Sequence, residues 1–173
     1  MKNKEYKTIT HTFIPPFIDR YSKVLILGSL PSVKSIEAGF YYSHKQNRFY
    51  KVISSIYNED NPISIEDKKS LLKKHHIALY DVIESCDIIG SSDASIKNVK
   101  PADINGLLTN YPHITSIIIT GNMAKRLFDK YVLPSINKSI SIHYCSSTSP
   151  ANARVSIETL TNEYKEALFI NEI

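Results

Sequence analysis

The sequence predicts an α/β fold of three layers, in which helices pack on both sides of a central, mostly parallel sheet of four strands. Short apolar runs that end in small or polar residues recur along the chain, and the segments between them have the length and apolar spacing of helices. Hydrophobic residues make up 42% and charged residues 22% of the 173 residues, which is typical of a globular protein. We therefore expect a single domain over residues 1–173.

Four apolar runs account for the strands of this sheet. Residues 24–27 are continuously apolar up to Gly28, which predicts a central strand that is buried on both faces. Residues 77–82 and 114–120 form the second and third runs. Residues 139–145 alternate between apolar and polar side chains, which places the fourth strand nearer an edge.

Five helices are expected between and after these strands. Ser64 resembles a helix cap with the carboxylate of Asp67 in the first turn. Pro101 is compatible with a first helical turn because it has no backbone N–H. The helices cover residues 47–57, 64–74, 101–108, 122–131 and 155–168. Residues 85–100 are left as a polar loop, and a loop of that length is often functional.

The positive charge is concentrated at the start of the chain. The formal net charge is only +4, which does not identify a nucleic-acid-binding protein. Residues 1–50, however, hold eight Lys and Arg against three Asp and Glu, a local excess of +5. An anionic partner is therefore expected to bind this part of the chain.

Composition also excludes several classes of protein. Cys86 and Cys145 lie far apart without a CxxC motif, which argues against a disulfide framework and for a reducing cytoplasm. Two cysteines cannot form a four-cysteine metal site, and the adjacent His75 and His76 point to different faces, so we expect no metal and no cofactor. No apolar run is long enough for a membrane span, and the N-terminus lacks secretory-signal features. We expect a cytoplasmic monomer.

Small and polar residues follow three of the predicted strands. They are residues 28–32, Asp81 and residues 146–152, and parallel strands bring such ends together at one crevice. Gly28 allows a ligand to approach the backbone closely, although Gly-Ser after a strand is more often an ordinary turn. Asp81 can accept hydrogen bonds from ring N–H groups, or can simply cap a helix. No phosphate-loop, dinucleotide or nucleophile-elbow motif is present.

Residues 39–50 interleave aromatic, basic and amide side chains. This mixture suits stacking on a nucleobase together with contact to phosphate. The alternative is that Phe40 and Phe49 belong to the core while Tyr41 and Tyr42 are half-buried at the surface. The pattern leaves both interpretations open.

Three segments together resemble the uracil-DNA glycosylase superfamily, and within it most closely the hypoxanthine (deoxyinosine) DNA glycosylases. The segments are residues 25–53, 77–98 and 146–154, and the similarity runs roughly from Val24 to Phe169. The resemblance implies the three-layer fold above. It also implies that water hydrolyses the N-glycosidic bond of a deaminated base after the nucleotide has left the stack, with DNA that contains such a base as the partner.

The resemblance also implies a set of site residues. Asn47 matches the asparagine that assists the attacking water, and Tyr42 matches the aromatic that stacks on the base. The backbone from Gly28 through Ser29 and Leu30 matches, with Asp81, the groups that read the base edge. The residues expected to contact DNA are Ser32, Lys34, Lys45, Arg48, Ser147, Thr148, Ser149, Pro150, Asn152 and Arg154.

The chain departs from the family pattern at two loops. Leu30 stands where many members have an Asp or Asn that activates water, which shifts that role to Asn47. Residues 147–151 replace an HPSPL motif, so weaker uracil excision is expected, and Ala151 is too short for the usual leucine wedge. Three alternatives remain: a uracil or mismatch glycosylase, a catalytically silent module that binds damaged DNA, and a small-molecule nucleoside binder.

Overall fold

The computed structural model describes residues 5–11, 14–90 and 92–170. It contains one parallel sheet of four strands and one antiparallel sheet of three strands. The strands are β1 (Lys7–Thr10), β2 (Val24–Gly28), β3 (Ile77–Asp81), β4 (Ile83–Ile88), β5 (Lys97–Pro101), β6 (Ser116–Thr120) and β7 (Ser141–Cys145). The helices are α1 (Val33–Ala38), α2 (Phe49–Ile56), α3 (Ile65–Lys74), α4 (Ile104–Asn110), α5 (Asn122–Tyr131) and α6 (Ile157–Phe169).

The parallel sheet has the strand order β3-β2-β6-β7, which confirms the predicted four-stranded sheet and the edge position of its last strand. Every residue of β2, β3 and β6 is buried. Because successive side chains of a strand point to opposite faces, burial of all of them requires that both faces of the sheet be covered. The helices provide that cover, as the predicted three-layer fold requires.

Four of the five expected helices lie where the apolar spacing predicts them. They are α2, α3, α5 and α6. The predicted cap of α3 is confirmed, because Ser64 Oγ accepts a hydrogen bond from Asp67 N and the Asp67 carboxylate accepts one from Ser64 N. Helix α1 was not predicted; Ser32 caps its start, and Gly39 ends it in a left-handed conformation (φ 74°).

Two predictions about residues 85–108 are wrong. The expected polar loop contains most of β4 and β5, which pair with each other, and β4 also pairs with β1. Pro101 ends β5 instead of opening a helix, and a proline is tolerated there because β5 is an edge strand. The helix starts later, where the Asp103 side chain accepts from Gly106 N.

The antiparallel sheet brings the start of the chain to the end of β3. Ile9 of β1 lies opposite Cys86 of β4, and β4 follows β3 after one residue. Phe17 then exchanges two backbone hydrogen bonds with Leu79 of β3, at 2.9 and 2.8 Å. His11 and residues 14–16 are therefore held beside the carboxyl end of β3.

Cys86 and Cys145 are both buried free thiols. Within residues 5–11, 14–90 and 92–170, no helix combines the length and apolar character that crossing a bilayer requires.

Candidate active site

A crevice of about 490 Å³ lies at the carboxyl ends of the parallel strands. The loops after β2 and β7 and the ends of β3 and β6 form its walls. The predicted site residues that line it are Gly28, Ser29, Leu30, Ser32, Lys34, Tyr42, Asn47, Asp81, Ser147, Thr148, Ser149 and Pro150. Lys45, Arg48, Asn152 and Arg154 are the four predicted residues outside its lining.

Asp81 closes one side of the crevice directly above Gly28. The two residues are paired in the β2–β3 register, and Val82 N donates a 2.8 Å hydrogen bond to Gly28 O. A Cβ atom at position 28 would lie 2.5 Å from Asp81 Oδ1. Glycine is therefore required here by the close approach of the Asp81 carboxylate.

His11, which is not among the predicted site residues, lies against the same carboxylate. Its Nε2 atom is 2.9 Å from Asp81 Oδ2, and both side chains are almost fully buried, with 3% and 7% of their surface exposed. The distance allows one proton to lie between the two groups, although they are not aligned for a linear hydrogen bond. We name His11, Gly28 and Asp81 the carboxylate side of the crevice.

The surroundings of His11 favour its charged form. Burial alone would lower the pKa of His11, but Asp81, the carbonyl of Ile14 and the charge of Glu84 outweigh it and raise that pKa above its usual 6.5. The His11 ring also packs 4.6 Å from the ring of Tyr80, measured between centroids. Burial and the neighbouring acids raise the pKa of Tyr80 to about 12, so the phenol stays neutral.

Tyr42 forms part of the crevice wall with a stacked ring behind it. Its ring lies 4.0 Å from that of Phe49 at an angle of 15°. The backbone of Tyr42 is left-handed (φ 54°), an uncommon conformation for a bulky residue. Its hydroxyl is buried, and burial followed by the charge of Asp81 raises the pKa of Tyr42, which keeps the phenol neutral.

The predicted surface positions of the neighbouring aromatics are partly corrected. Phe40 and Phe49 are buried, as the core interpretation expects, but Tyr41 is buried as well. Its hydroxyl donates a 2.8 Å hydrogen bond to Pro15 O, and it receives support from Tyr50, whose hydroxyl donates to Tyr41 O at 2.9 Å. These bonds tie the aromatic segment to the N-terminal segment.

Asn47 and Thr148 meet on the opposite side of the crevice. Asn47 Oδ1 accepts hydrogen bonds from Thr148 Oγ1 and from Phe49 N, both at 2.9 Å. Because a backbone N–H can only donate, the oxygen of the amide is assigned unambiguously. The Nδ2 amide group of Asn47 is therefore the part of this side chain that remains for a ligand or a water.

Arg48 joins the two loops on this side. Its guanidinium donates to Asn152 O at 3.0 Å and to Val155 O, and its backbone N–H donates to Thr148 O at 3.1 Å. The loop after β7 is thus fastened to the start of α2. We name Asn47, Arg48 and Thr148 the amide side of the crevice.

The loop after β7 is stiffened by its own short polar side chains. Ser147 Oγ accepts from Ser149 N at 3.1 Å, and Ser149 Oγ accepts from Ala151 N at 3.2 Å. The Asn152 amide donates to Ser147 O at 3.0 Å. Gly121 (φ 88°) packs against this loop, where a Cβ would lie 3.1 Å from Ser147 Cβ.

The remaining residues predicted to contact DNA differ in whether a neighbouring carboxylate offsets their charge. Lys45 and Arg154 are exposed. Lys34 is also exposed but lies 3.1 Å from Glu37, which offsets its charge. The predicted set omits several other residues that line the crevice, among them His44, Thr120 and Met123, although Thr120 ends β6 just as Asp81 ends β3 and follows the same strand-end rule. No such pattern marks His11.

Within the part of the chain that the structure describes, no group of three or more His, Cys, Asp or Glu side chains is arranged to hold a metal ion. The polar groups that line the crevice include the Asp81 carboxylate, the Asn47 amide, the Lys34 amine, the His44 ring, hydroxyls and backbone groups. Such a set can hold a planar, hydrogen-bonding ring beside a stacked tyrosine.

Comparisons with known proteins agree on one family. The family model described as the uracil DNA glycosylase superfamily matches residues 15–169. A protein of Methanosarcina barkeri named hypoxanthine DNA glycosylase is 33% identical over 62% of this chain and 68% of its own. A protein of Methanosarcina acetivorans with the same name is 32% identical over 64% and 70% of the two chains. The solution NMR structure of a candidate uracil DNA glycosylase from Methanosarcina acetivorans superposes with a TM-score of 0.80 at 26% identity, covering 96% of this chain and all (100%) of that one.

Proposed function

The chain belongs to the uracil DNA glycosylase superfamily and is a DNA glycosylase of that superfamily, and we propose that it removes hypoxanthine from DNA. In this proposal it hydrolyses the N-glycosidic bond of deoxyinosine that has been flipped out of the helix. The observation that carries the proposal is the meeting of Asp81, Tyr42 and Asn47 in one crevice. The names of the two Methanosarcina relatives support hypoxanthine as the preferred base.

The base is bound by stacking and by its edge. Tyr42, supported from behind by Phe49, offers one ring face to the flipped base. Asp81 accepts a hydrogen bond from the N1–H of hypoxanthine, because an ionised carboxylate can only accept. Backbone groups of Gly28, Ser29 and Leu30 lie beside the same edge.

This arrangement distinguishes hypoxanthine and uracil from their parent bases, adenine and cytosine. Adenine has an unprotonated N1 that cannot donate to a carboxylate, whereas deamination to hypoxanthine creates the N1–H donor. Uracil likewise gains an N3–H that cytosine lacks. Asp81 therefore rejects the normal bases adenine and cytosine, while the choice between hypoxanthine and uracil depends on other parts of the crevice.

Asn47 positions the attacking water in this proposal. Its oxygen already accepts two hydrogen bonds, so the Nδ2 amide is the group that donates to the water oxygen. The C1′–N9 bond breaks with its electron pair leaving on the base, the water oxygen bonds to C1′, and the released proton neutralises the base. Leu30 supplies no acid or base, so holding the water and the base in place is the main contribution of the protein.

The outer residues would bind the DNA strand. Exposed Lys45 and Arg154 are suited to phosphate contacts, and Ser32, Ser147 and Pro150 line the crevice. Lys34 contributes less because Glu37 is 3.1 Å away. Arg48 acts through the loop that it fastens.

An oligonucleotide panel tests the proposal. Duplexes that carry hypoxanthine, uracil or xanthine in defined pairs are incubated with excess protein, and abasic sites are revealed by alkaline cleavage. Hypoxanthine should be released fastest, with no strand nick before alkali. Faster release of uracil would make the protein a uracil glycosylase. Salt-dependent binding of damaged duplex without any abasic product would show a catalytically silent binding module. The absence of any salt-dependent affinity for DNA would exclude both a glycosylase and such a module.

A further inference from the structure

We propose that His11 is a positioning residue that holds Asp81 as a hydrogen-bond acceptor toward the crevice, so that the histidine, which directly follows β1, sets the base specificity of the site. This inference rests on the proposed function for its substrate. The contact between His11 and Asp81 is independent of the proposed function and can be measured without any DNA.

The proton positions in the pair follow from its contacts. His11 Nδ1 lies 2.8 Å from Ile14 O, and because a carbonyl only accepts, Nδ1 must carry a hydrogen. Nε2 faces Asp81 Oδ2 at 2.9 Å, where two bare lone pairs would repel. One proton therefore lies between them, on His11 or on Oδ2.

In both cases the second oxygen of Asp81 is unprotonated. Oδ2 is sealed from solvent against His11, which leaves Oδ1, the oxygen closest to Gly28, for a ligand in the crevice. Oδ1 can then accept a hydrogen bond and cannot donate one. The pair thus presents a fixed acceptor wherever its proton sits.

The acidic groups around His11 favour its charged form, although burial of the ring acts against them. The surrounding groups are Tyr80 and Asp81 of β3, Glu84 of β4 and Tyr41 of the segment before α2, whose ring lies 6.3 Å from that of His11. Two of them are acids and two are neutral phenols, so the described surroundings attract a cation. The same groups keep the ring orientation of His11 constant by packing.

Removal of His11 should change how Asp81 reads a base. A carboxylate buried without its cation favours the protonated form, and its proton could then sit on Oδ1 and donate. Rejection of adenine and cytosine would weaken, and binding of the N1–H edge of hypoxanthine would decline as pH falls. The loss of one such charged hydrogen-bond partner corresponds to roughly a ten- to hundredfold effect.

Single-turnover cleavage of a hypoxanthine duplex between pH 5.5 and 8.5 tests the inference. His11→Ala should lower the rate at subsaturating protein roughly ten- to hundredfold, with the loss largest at low pH. His11→Gln can still donate to Oδ2 and should recover part of the rate. His113→Ala, an exposed histidine near the opposite end of the sheet, is the matched control and should resemble the wild type. An equal loss at every pH with an unchanged preference for hypoxanthine over adenine would mean that His11 is only structural.

An NMR titration of the histidine rings separates this inference from the proposed function. His11 should lose its proton at a higher pH in the wild type than in Asp81→Asn. Equal titration of His11 in the two proteins would overturn the pairing. If the pairing holds and no base is released from any duplex, the proposed function fails while the His11–Asp81 contact stands.

Discussion

The two sides of the crevice are held by different physical means. The carboxylate side depends on a charge pair between His11 and Asp81, which are nearly excluded from solvent. The amide side depends on the hydrogen bond from the Thr148 hydroxyl to Asn47 and on those from Arg48 to backbone carbonyls of the loop after β7. A buried charge pair responds to pH, whereas a network to backbone groups responds to deletion of its donors. In the proposed function, the first side reads the base and the second positions water.

The largest effect is expected from Asn47→Ala on the amide side. Loss of the Nδ2 donor should lower the single-turnover rate of hypoxanthine release by roughly 10²–10⁴. Thr148→Val is the control, because it removes a hydrogen bond to the same side chain but leaves the amide in place. It should cost less than about tenfold. Cleavage by Asn47→Ala at the wild-type rate would show that the water is held elsewhere.

A smaller effect is expected from Arg48→Met, and it should appear in stability. Two hydrogen bonds to Asn152 O and Val155 O are lost, which should lower the free energy of unfolding by about 1–3 kcal/mol, measured by urea denaturation. Arg48→Lys should recover only part of the lost free energy of unfolding, because an ammonium cannot reproduce the geometry of the guanidinium contact to two carbonyls. If Arg48→Met leaves stability intact and instead reduces the salt dependence of DNA binding, the residue contacts phosphate.

The carboxylate side should make stability depend on pH. The folded-state pKa of His11 is raised, so its contribution is complete below pH 6.5 and is lost as pH rises through that raised pKa. Between the pKa values of the unfolded and folded states, unfolding releases one proton. The free energy of unfolding should therefore fall by at most about 1.4 kcal/mol for each unit by which the pH rises. Asp81→Asn should remove this slope, as seen by urea denaturation from pH 5.5 to 8.5. Identical slopes in both proteins would contradict the assignment to His11.

The smallest effect is expected outside both sides of the crevice. Lys45→Gln should weaken binding of every duplex similarly and reduce the slope of log affinity against log salt by roughly 0.9. Lys34→Gln should do less because Glu37 offsets its charge. Lys73→Gln, in the last turn of α3 before the amino end of β3, is the control and should leave the slope unchanged. A base-dependent loss for Lys45→Gln would place it inside the recognition site.

The two sides also differ in how well they can be predicted. Asn47 and Arg48 belong to one continuous motif, and the polar loop around Thr148 follows a predictable strand, so the amide side is visible in the sequence. Asp81 is visible for the same reason, as the first polar residue after an apolar strand. His11 is not, because its partner lies 70 positions later and only the pairing of β1 with β4 brings them together.

Local patterns also mislead where pairing is long-range. Residues 85–100 are rich in polar side chains and resemble a loop, yet β4 and β5 are held there by an antiparallel sheet with one side open to solvent. The backbone of Pro101 is compatible with a helix start, but Pro101 instead ends an edge strand. Propensity is a weak guide when tertiary pairing decides.

The sequence by itself determined the four parallel strands, their flanking helices and the loops that carry most of the candidate site, because continuous apolar runs and helix caps are local signals. Tertiary structure alone decided which atoms of those residues face a ligand. Asn47 presents its amide nitrogen because two donors occupy its oxygen, Arg48 is turned to backbone carbonyls, and Asp81 presents Oδ1 because His11 occupies Oδ2. Hydrogen-bonding capacity is a property of the residue, but its use depends on neighbours that folding brings from distant parts of the chain.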